Sequence, residues 1–550
     1  MSGAANADGS VMRTELDSLP WWKGAVIYQI YPRSFRDSNN DGIGDLRGIL
    51  EGLDHIASLG VDGIWISPFF TSPMADYGYD VADFCGVDPI FGTLEDFDAV
   101  VAEAHALGLK VIIDQVYSHT SDHHDWFIES RSSRDNARAD WYVWADPKSD
   151  GSPPNNWQSV FGGPSWEWDA RRGQYYFHNF LKEQPDLNVY NPEVQEALIN
   201  AGKFWLDRGV DGFRLDALNF AMHDRQLRDN PASGVSAHEA TRPFDMQVQK
   251  YSMSQPEVVG FIEKFRGLLD QYPGTFTVAE VGGPTPIGEM KAFTEGERRL
   301  NSAYNFDFLY APSLDAKRVE ESAKLWDQSE GEGWPSWAFS NHDAPRAITR
   351  WAESAHREDM ARLYMMLLLT LRGNPIIYQG EELGLPQASV PFSSLKDPEA
   401  IINWPKTLGR DGARTPMPWQ AGELHAGFSQ AEPWLPVDPQ HAALAIDQQQ
   451  GNDSMLRFTA EALAKRKQHS ALLQGGMRFG AAGTDEVLVV YRDGGGDKIT
   501  AIFNFSGAPF ELPEHPVPEG NLVLSSRPLN KNLLGDGIIP ERAGIWISVK

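Results

Sequence analysis

Gly212-Phe213-Arg214-Leu215-Asp216-Ala217-Leu218-Asn219-Phe220 is the stretch on which the reading of the chain turns. It reads as a buried apolar strand running through Val210, Phe213 and Leu215, with an arginine and an aspartate two apart near its end. Residues two apart on a strand point to one face, so Arg214 and Asp216 share an environment. A guanidinium beside a carboxylate keeps it ionised and limits its rotation, which suits a nucleophile better than an acid. Taken alone, one Arg-x-Asp reads more simply as a structural ion pair at a strand end. Its company along the chain decides between the two.

N-terminal to this stretch, residues 26–31, 61–66 and 110–116 read as strands, with helical spacing over 48–59, 97–107 and 192–208. C-terminal to it come strands over 275–278, 303–308, 337–340 and 375–378, a helix over 258–269 and a buried apolar helix over 363–371. Strands alternating with helices imply a parallel sheet with crossovers, and eight strands with polar or acidic ends imply an α/β fold of the (β/α)8 TIM barrel type. The rhythm stops from 120 to about 190, which is rich in Pro, Gly, Trp and Asn. Such a segment inside a compact domain reads as an irregular subdomain inserted after strand 3, over the barrel mouth. After a polar excursion over 386–449 and a helix over 454–469, alternation at 487–491, 500–505, 522–524 and 544–549 predicts a C-terminal antiparallel β-domain. The expected organisation is a loose tail (1–20), barrel (21–119), inserted subdomain (120–190), barrel (191–470) and β-domain (471–550).

A chain of 550 residues is too long for one simple core, which fits this division. The net charge of −28 argues against nucleic acid or an anionic membrane as partner and fits a neutral substrate. With 18 Trp and 11 % aromatics the chain suits stacking on flat ligands such as sugar rings. The single cysteine, Cys85, excludes an intrachain disulfide. Residues 1–20 hold no apolar core of signal-peptide length, and no apolar run spans a membrane, so a cytoplasmic location is expected. Oligomeric state is not legible.

Asp37-Ser38-Asn39-Asn40-Asp41-Gly42-Ile43-Gly44-Asp45 carries side-chain oxygens at every second position, then a Gly. That is either the first half of a Ca²⁺ loop or an Asx-rich turn, since Gly48 stands where an EF-hand has its Glu. Any ion there would be Ca²⁺ or Mg²⁺. His119, His123 and His124 lack the Cys or HExxH company of a zinc site and read as a polar loop.

Three carboxylates stand at strand ends: Asp216 after the fourth, Glu280 after the fifth and Asp343 after the seventh. Clustered acids with no metal motif suit glycoside chemistry, one as nucleophile and another as general acid. Crowding is expected to raise one pKa while Arg214 holds another down.

The motifs Asp114-Gln-Val-Tyr-Ser-His119, Gly212-Phe-Arg-Leu-Asp216, Ala279-Glu280 and Ser340-Asn-His-Asp343, in this order, resemble the α-amylase superfamily of glycoside hydrolases. Gln184-Pro-Asp-Leu-Asn188 is similar to a signature of its α-glucosidase and oligo-1,6-glucosidase branch. The resemblance implies a retaining double displacement with Asp216 as nucleophile, Glu280 as acid and base, and Asp343 binding ring hydroxyls. It implies that His119, Arg214 and His342 contact the sugar, and that Asp76 and Tyr79 close the pocket, with Arg414 pairing Asp76. A closed pocket means exo-action on a terminal glucose, and Phe161 and Phe180 are expected to line its wall. Ala217, following the nucleophile, points to α-1,4 preference. No cofactor is implied for catalysis. The loop also matches the branch, implying a structural Ca²⁺ or Mg²⁺ at Asp37, Asn39, Asp41, Ile43 and Asp45. The expected activity is an α-glucosidase on short neutral oligosaccharides such as maltose, with glucosyl transfer to alcohols possible. A sucrose hydrolase or isomerase of the same superfamily is the alternative.

Overall fold

The computed structural model describes residues 20–283, 285–327, 333–512, 520–528 and 537–549. The expected N-terminal tail falls, but for residue 20, outside these residues. Eight parallel strands close a barrel: β1 (Ile27–Ile30), β2 (Gly63–Ile66), β3 (Lys110–Val116), β4 (Gly212–Asp216), β5 (Phe276–Val281), β6 (Ser302–Asn305), β7 (Trp334–Ala338) and β8 (Asn374–Tyr378), with β8 pairing back to β1. The strands are short because each needs only to cross a barrel whose interior is filled by side chains. Their outer faces pack on helices such as Leu46–Leu59, whose Asp45 cap accepts from the Gly48 amide and whose Gly60 ends it at φ 86°.

Several strands differ from expectation at their ends, among them β6, which stops at Asn305, and two whose ends carry the acids. β5 runs on through Glu280 to Val281, and β7 starts three residues early and stops before Ser340. The second difference has a local cause. The Asn341 side chain accepts from the amides of Asp343 and Ala344, so an Asx turn takes the chain off the sheet and presents Asp343 beyond the strand end.

Segment 120–190 carries a helix (Asp125–Ser130) and a three-stranded antiparallel sheet (Trp144–Ala145, Trp166–Asp169, Gln174–Phe177). It is tied to the end of β3 by the bridge between His119 and Asp186. Near the C-terminus, β9 (Gly476–Gly480), β10 (Val487–Gly494), β11 (Asp497–Asn504), β12 (Gly520–Ser525) and β13 (Ala543–Val549) form an antiparallel sheet in the order β9-β10-β11-β13-β12. Its Trp546 is fully buried and donates to Thr370 Oγ1 at 2.7 Å, docking the sheet on the barrel helix Arg357–Thr370. No helix among the described residues is long and apolar enough to cross a membrane.

Strand β4 enters the barrel through Gly212, where a Cβ would lie 2.2 Å from the Phe276 carbonyl oxygen. Gly212→Ala is therefore expected to cost about 1–3 kcal/mol through overpacking. Gly260→Ala, on the helix Val258–Leu269 with nothing within 4 Å, is expected to stabilise by about 0.5–1 kcal/mol. Thermal melts of both variants check the pair; an unshifted Gly212→Ala melt contradicts the packing.

Candidate active site

In-register pairing of β3 with β4 sets Asp114 beside Arg214, and that of β5 with β6 sets Glu280 beside Tyr304. Arg214, fully buried, grips three acids at once. Its Nη1 donates to Asp114 Oδ1 at 2.6 Å and to Asp216 Oδ1 at 2.5 Å, and its Nη2 lies 2.6 Å from Glu280 Oε1. The Tyr304 hydroxyl accepts from Arg214 Nε at 3.2 Å and donates to Glu280 Oε1 at 3.1 Å. Trp65 faces the guanidinium, its ring centroid 5.0 Å away, and its indole N–H donates to Asp114 Oδ2 at 2.7 Å. The expected Arg214–Asp216 pair is present, but the arginine is shared.

That sharing corrects the expected sorting of pKa values. Burial pushes Asp216 up to about 7; Arg214 opposes the rise, while Asp114 and Asp343 add to it. Glu280 is likewise raised to about 7 by burial, against the pull of Arg214 and with the push of Asp216 and Asp343. Asp114 rises to about 6, again by burial against Arg214. One positive charge does not hold three buried carboxyls ionised, so the cluster retains a proton near neutral pH. The depressed acid is Asp343. Burial disfavours its ionisation, but His342 and the guanidinium groups of Arg414 and Arg410 hold it well below the usual range. Arg414 Nη2 lies 2.6 Å and Arg410 Nη1 3.4 Å from its Oδ1, and His342 Nε2 lies 3.2 Å from its Oδ2. Burial lowers His342 to about 3, so its ring is neutral. With the Gln29 amide assigned as donor to Nδ1 at 2.8 Å, the ring proton sits on Nε2, facing Asp343 and the Tyr79 hydroxyl 2.5 Å away.

Ala217, next after Asp216, adopts φ 39° and ψ 39°, a left-handed conformation that costs an L-residue about 1–2 kcal/mol. The kink turns the chain sharply off β4 into the turn Leu218–Phe220 and leaves Asp216 at the strand tip. Asn219 Nδ2 donates to the Gly282 carbonyl at 2.7 Å, tying this turn to the end of β5.

Around these acids is a cavity of about 290 Å³. Asp76, Tyr79, His119, Phe161, Phe180, Asp216, Ala217, Glu280 and Asp343 all line it. Arg214, His342 and Arg414, read by resemblance as sugar-facing or pocket-closing groups, are fully buried behind the acids and do not line it. Burial lowers the lining His119 to about 4, so this imidazole is neutral too. One pairing is corrected outright. Asp76 is held by Arg410, Nη2 to Oδ1 at 2.7 Å, whereas Arg414 donates to Asp343 and, through Nε, to the His342 carbonyl at 2.7 Å. Both arginines stand in one short stretch, Gly409-Arg410-Asp411-Gly412-Ala413-Arg414, and only the path of the turn Asp411–Ala413 decides which one faces Asp76. Arg410 also lies over the Phe161 ring, 4.9 Å from its centroid.

The sequence reading missed Arg410 and most of the remaining wall, including Arg242, Phe244, Phe306, Tyr310 and Glu399. Arg242 and Phe244 come from the segment after Phe220 that carries no motif, and Arg242 Nη1 pairs with Glu399 Oε1 at 3.1 Å. Asp114 was within reach: it opens a quoted motif and pairs in register with Arg214.

The loop at 37–45 lies apart from the residues lining this cavity. Asp37 Oδ2 accepts from the Gly42 amide and the Ser429 hydroxyl, Asn39 Oδ1 from the Asp41 amide, and Asp45 from Ser38 and Gly48. Among the described residues no three His, Cys, Asp or Glu side chains converge as a metal site. The donors are hard oxygens suited to Ca²⁺ or Mg²⁺, but in this conformation they serve a chain of Asx turns.

The family model described as alpha amylase, catalytic domain, matches residues 29–475. The chain is 52 % identical to a probable alpha-glucosidase of Rhizobium meliloti (strain 1021), over 90 % of this chain and 91 % of that one. It is 37 % identical to an oligo-1,6-glucosidase of Parageobacillus thermoglucosidasius, over 92 % and 94 %. Among solved structures, the alpha-glucosyl transfer enzyme XgtA superposes with a TM-score of 0.91 at 47 % identity, covering 97 % of this chain and all (100 %) of that one. An isomaltulose synthase of Erwinia rhapontici NX5, solved with its natural substrate sucrose, gives 0.87 at 31 %, covering 96 % and 99 %. A closed barrel with three acids at its strand ends, matched nearly end to end by these relatives, belongs to the α-amylase family of glycoside hydrolases, an enzyme family whose general mechanism is retaining.

Proposed function

We propose that the protein is an exo-acting α-glucosidase that removes terminal, mainly α-1,4-linked, glucose from short oligosaccharides such as maltose and also transfers glucose to alcohols. The observation that carries this reading is the cavity of about 290 Å³ beside Asp216, Glu280 and Asp343, with the Asp76–Arg410 ion pair in its wall. A small cavity of that kind, with an ion pair in its wall, suits the end of a short sugar chain. Similarity to proteins named alpha-glucosidase supports the substrate class, and similarity to an alpha-glucosyl transfer enzyme supports transfer.

In this reading Asp216 attacks the anomeric carbon as the carboxylate, and Glu280 donates the retained proton to the departing oxygen, then removes one from water or an alcohol. Asp343, held ionised by Arg414 and Arg410, stabilises the positive charge that develops on the sugar ring. The apolar rings of Phe161, Phe180, Phe220 and Phe306 suit the faces of sugars. A second reading, action on sucrose, is favoured by the likeness to an isomaltulose synthase at 31 % identity.

Initial rates on maltose, isomaltose and sucrose test the choice. Maltose is expected to be fastest, with Asp216→Asn slower by at least about a thousandfold at unchanged circular dichroism. Sucrose as clear favourite establishes the second reading, and wild-type-like turnover by Asp216→Asn overturns the assignment of the nucleophile.

The pH dependence follows from Glu280. Activity on maltose should fall as pH rises through about 7, where Glu280 loses its proton. The Tyr304 hydroxyl hydrogen bond favours the ionised form of Glu280, so Tyr304→Phe raises its pKa. The alkaline limb of kcat/KM is expected to move to higher pH in that variant; movement to lower pH contradicts the arrangement.

We also propose a structural Ca²⁺ or Mg²⁺ at Asp37, Asn39, Asp41, Ile43 and Asp45, on the hard-oxygen donors of that loop and remote from the chemistry. A lower melting temperature on chelation is expected. An unchanged one assigns the order of the loop to its Asx turns alone.

A further inference from the structure

Arg410 reaches both Asp76 and Asp343, so whatever fixes its guanidinium fixes the relation between them. Its strongest set of bonds goes elsewhere, to Asp397. Arg410 donates to Asp397 Oδ1 from Nε at 3.1 Å and from Nη2 at 2.7 Å, and its backbone amide donates to Oδ2 at 2.6 Å. Asp397 is fully buried, and it is absent from the residues lining the cavity. Burial opposes its ionisation, but Arg410 outweighs it and keeps the carboxylate charged.

The surroundings are built around that carboxylate. Asp397 caps the short helix Pro398–Asn403 through the Glu399 amide, and its own amide donates to Asp411 Oδ2 at 3.0 Å. Gly409, at φ 63°, closes the turn so tightly that a Cβ would lie 2.4 Å from Asp397 Oδ2 and 2.6 Å from the Ala400 Cβ. Two acids, Asp76 and Asp343, also compete for Arg410. A guanidinium on a flexible stem, released from Asp397, has a second resting place closer to Asp343, now 3.4 Å away.

We propose that Asp397 is a positioning residue for the glycosidase reaction: it locks Arg410 in the rotamer that engages Asp76, and so sets the shape of the pocket end that holds the terminal glucose. This rests on the α-glucosidase reading above. Asp397 does not touch the substrate; it acts through Arg410, on binding more than on bond breaking.

The test compares wild type, Asp397→Ala and Asp397→Asn for kinetics on maltose and for competitive inhibition by free glucose. Asp397→Ala is expected to raise KM at least tenfold and the inhibition constant for glucose by a similar factor, with a fall in kcat of no more than about threefold. Asp397→Asn keeps an oxygen acceptor for Arg410 and is expected to recover at least half of that loss on a logarithmic scale. A folded Asp397→Ala with unchanged KM, or with kcat lowered at unchanged KM, overturns the proposal. Where Asp397→Ala fails to fold, Asp397→Ser, which can still cap the helix Pro398–Asn403 but is too short to grip Arg410, carries the test: a KM raised at least threefold supports the proposal and a smaller change overturns it. Failure of the underlying reading is distinct, because the wild type itself would then release no glucose from maltose.

Discussion

A single buried guanidinium, that of Arg214, is the constraint on which the rest of the site depends. It is fully buried, and its donors are met by protein groups, those of Asp114, Asp216, Glu280 and Tyr304. Removing Arg214 would leave three buried acids with no guanidinium to compensate them. The barrel is what makes the cluster possible. Three neighbouring parallel strands, β3, β4 and β5, bring side chains more than 160 residues apart in the chain to adjacent nitrogens of one planar fork. The strained backbone at Ala217 persists because β4 on one side and the Asn219 bond on the other over-determine it.

The distribution of arginines then divides the acids by role. Asp114, Asp216 and Glu280 share one positive charge and keep a proton among them, while Asp343 alone is faced by two guanidinium groups and stays ionised. In a double displacement one carboxyl must first give a proton and then take one, and a carboxyl whose pKa lies near neutrality, as that of Glu280 does, can do both. The permanent negative charge of Asp343 suits the opposite task of facing a cationic transition state. On the remaining sides aromatic rings such as Phe161, Phe180, Phe244 and Phe306 share the cavity wall with polar groups such as Gln184, Arg242 and Arg410.

Much of this was legible from the chain before any coordinates. Each barrel strand announces itself as a short apolar run ending in polar residues, and the three acids stand at such ends, so the barrel and its acidic mouth followed from period and punctuation. The pairing of Asp76 did not follow. Arg410 and Arg414 lie one turn apart in one motif, and which of them turns toward Asp76 is decided by long-range packing. The expectation that Arg214 depresses Asp216 failed for a related reason: an Arg-x-Asp spacing reveals one partner and says nothing of Asp114 and Glu280, which arrive from other strands. The wall formed by Arg242, Phe244 and Glu399 comes from single short helical turns within long irregular segments, too brief to carry a periodic signal in the sequence.

The measurement that bears most directly on Asp216 and Glu280 working as nucleophile and acid is the anomeric form of the first glucose released from maltose, followed by proton NMR before mutarotation. Double displacement through a covalent intermediate on Asp216 requires α-glucose to appear first, with the β-anomer growing in only as the sugar equilibrates. β-Glucose appearing first would mean a single inverting displacement, and would contradict the roles given to both residues.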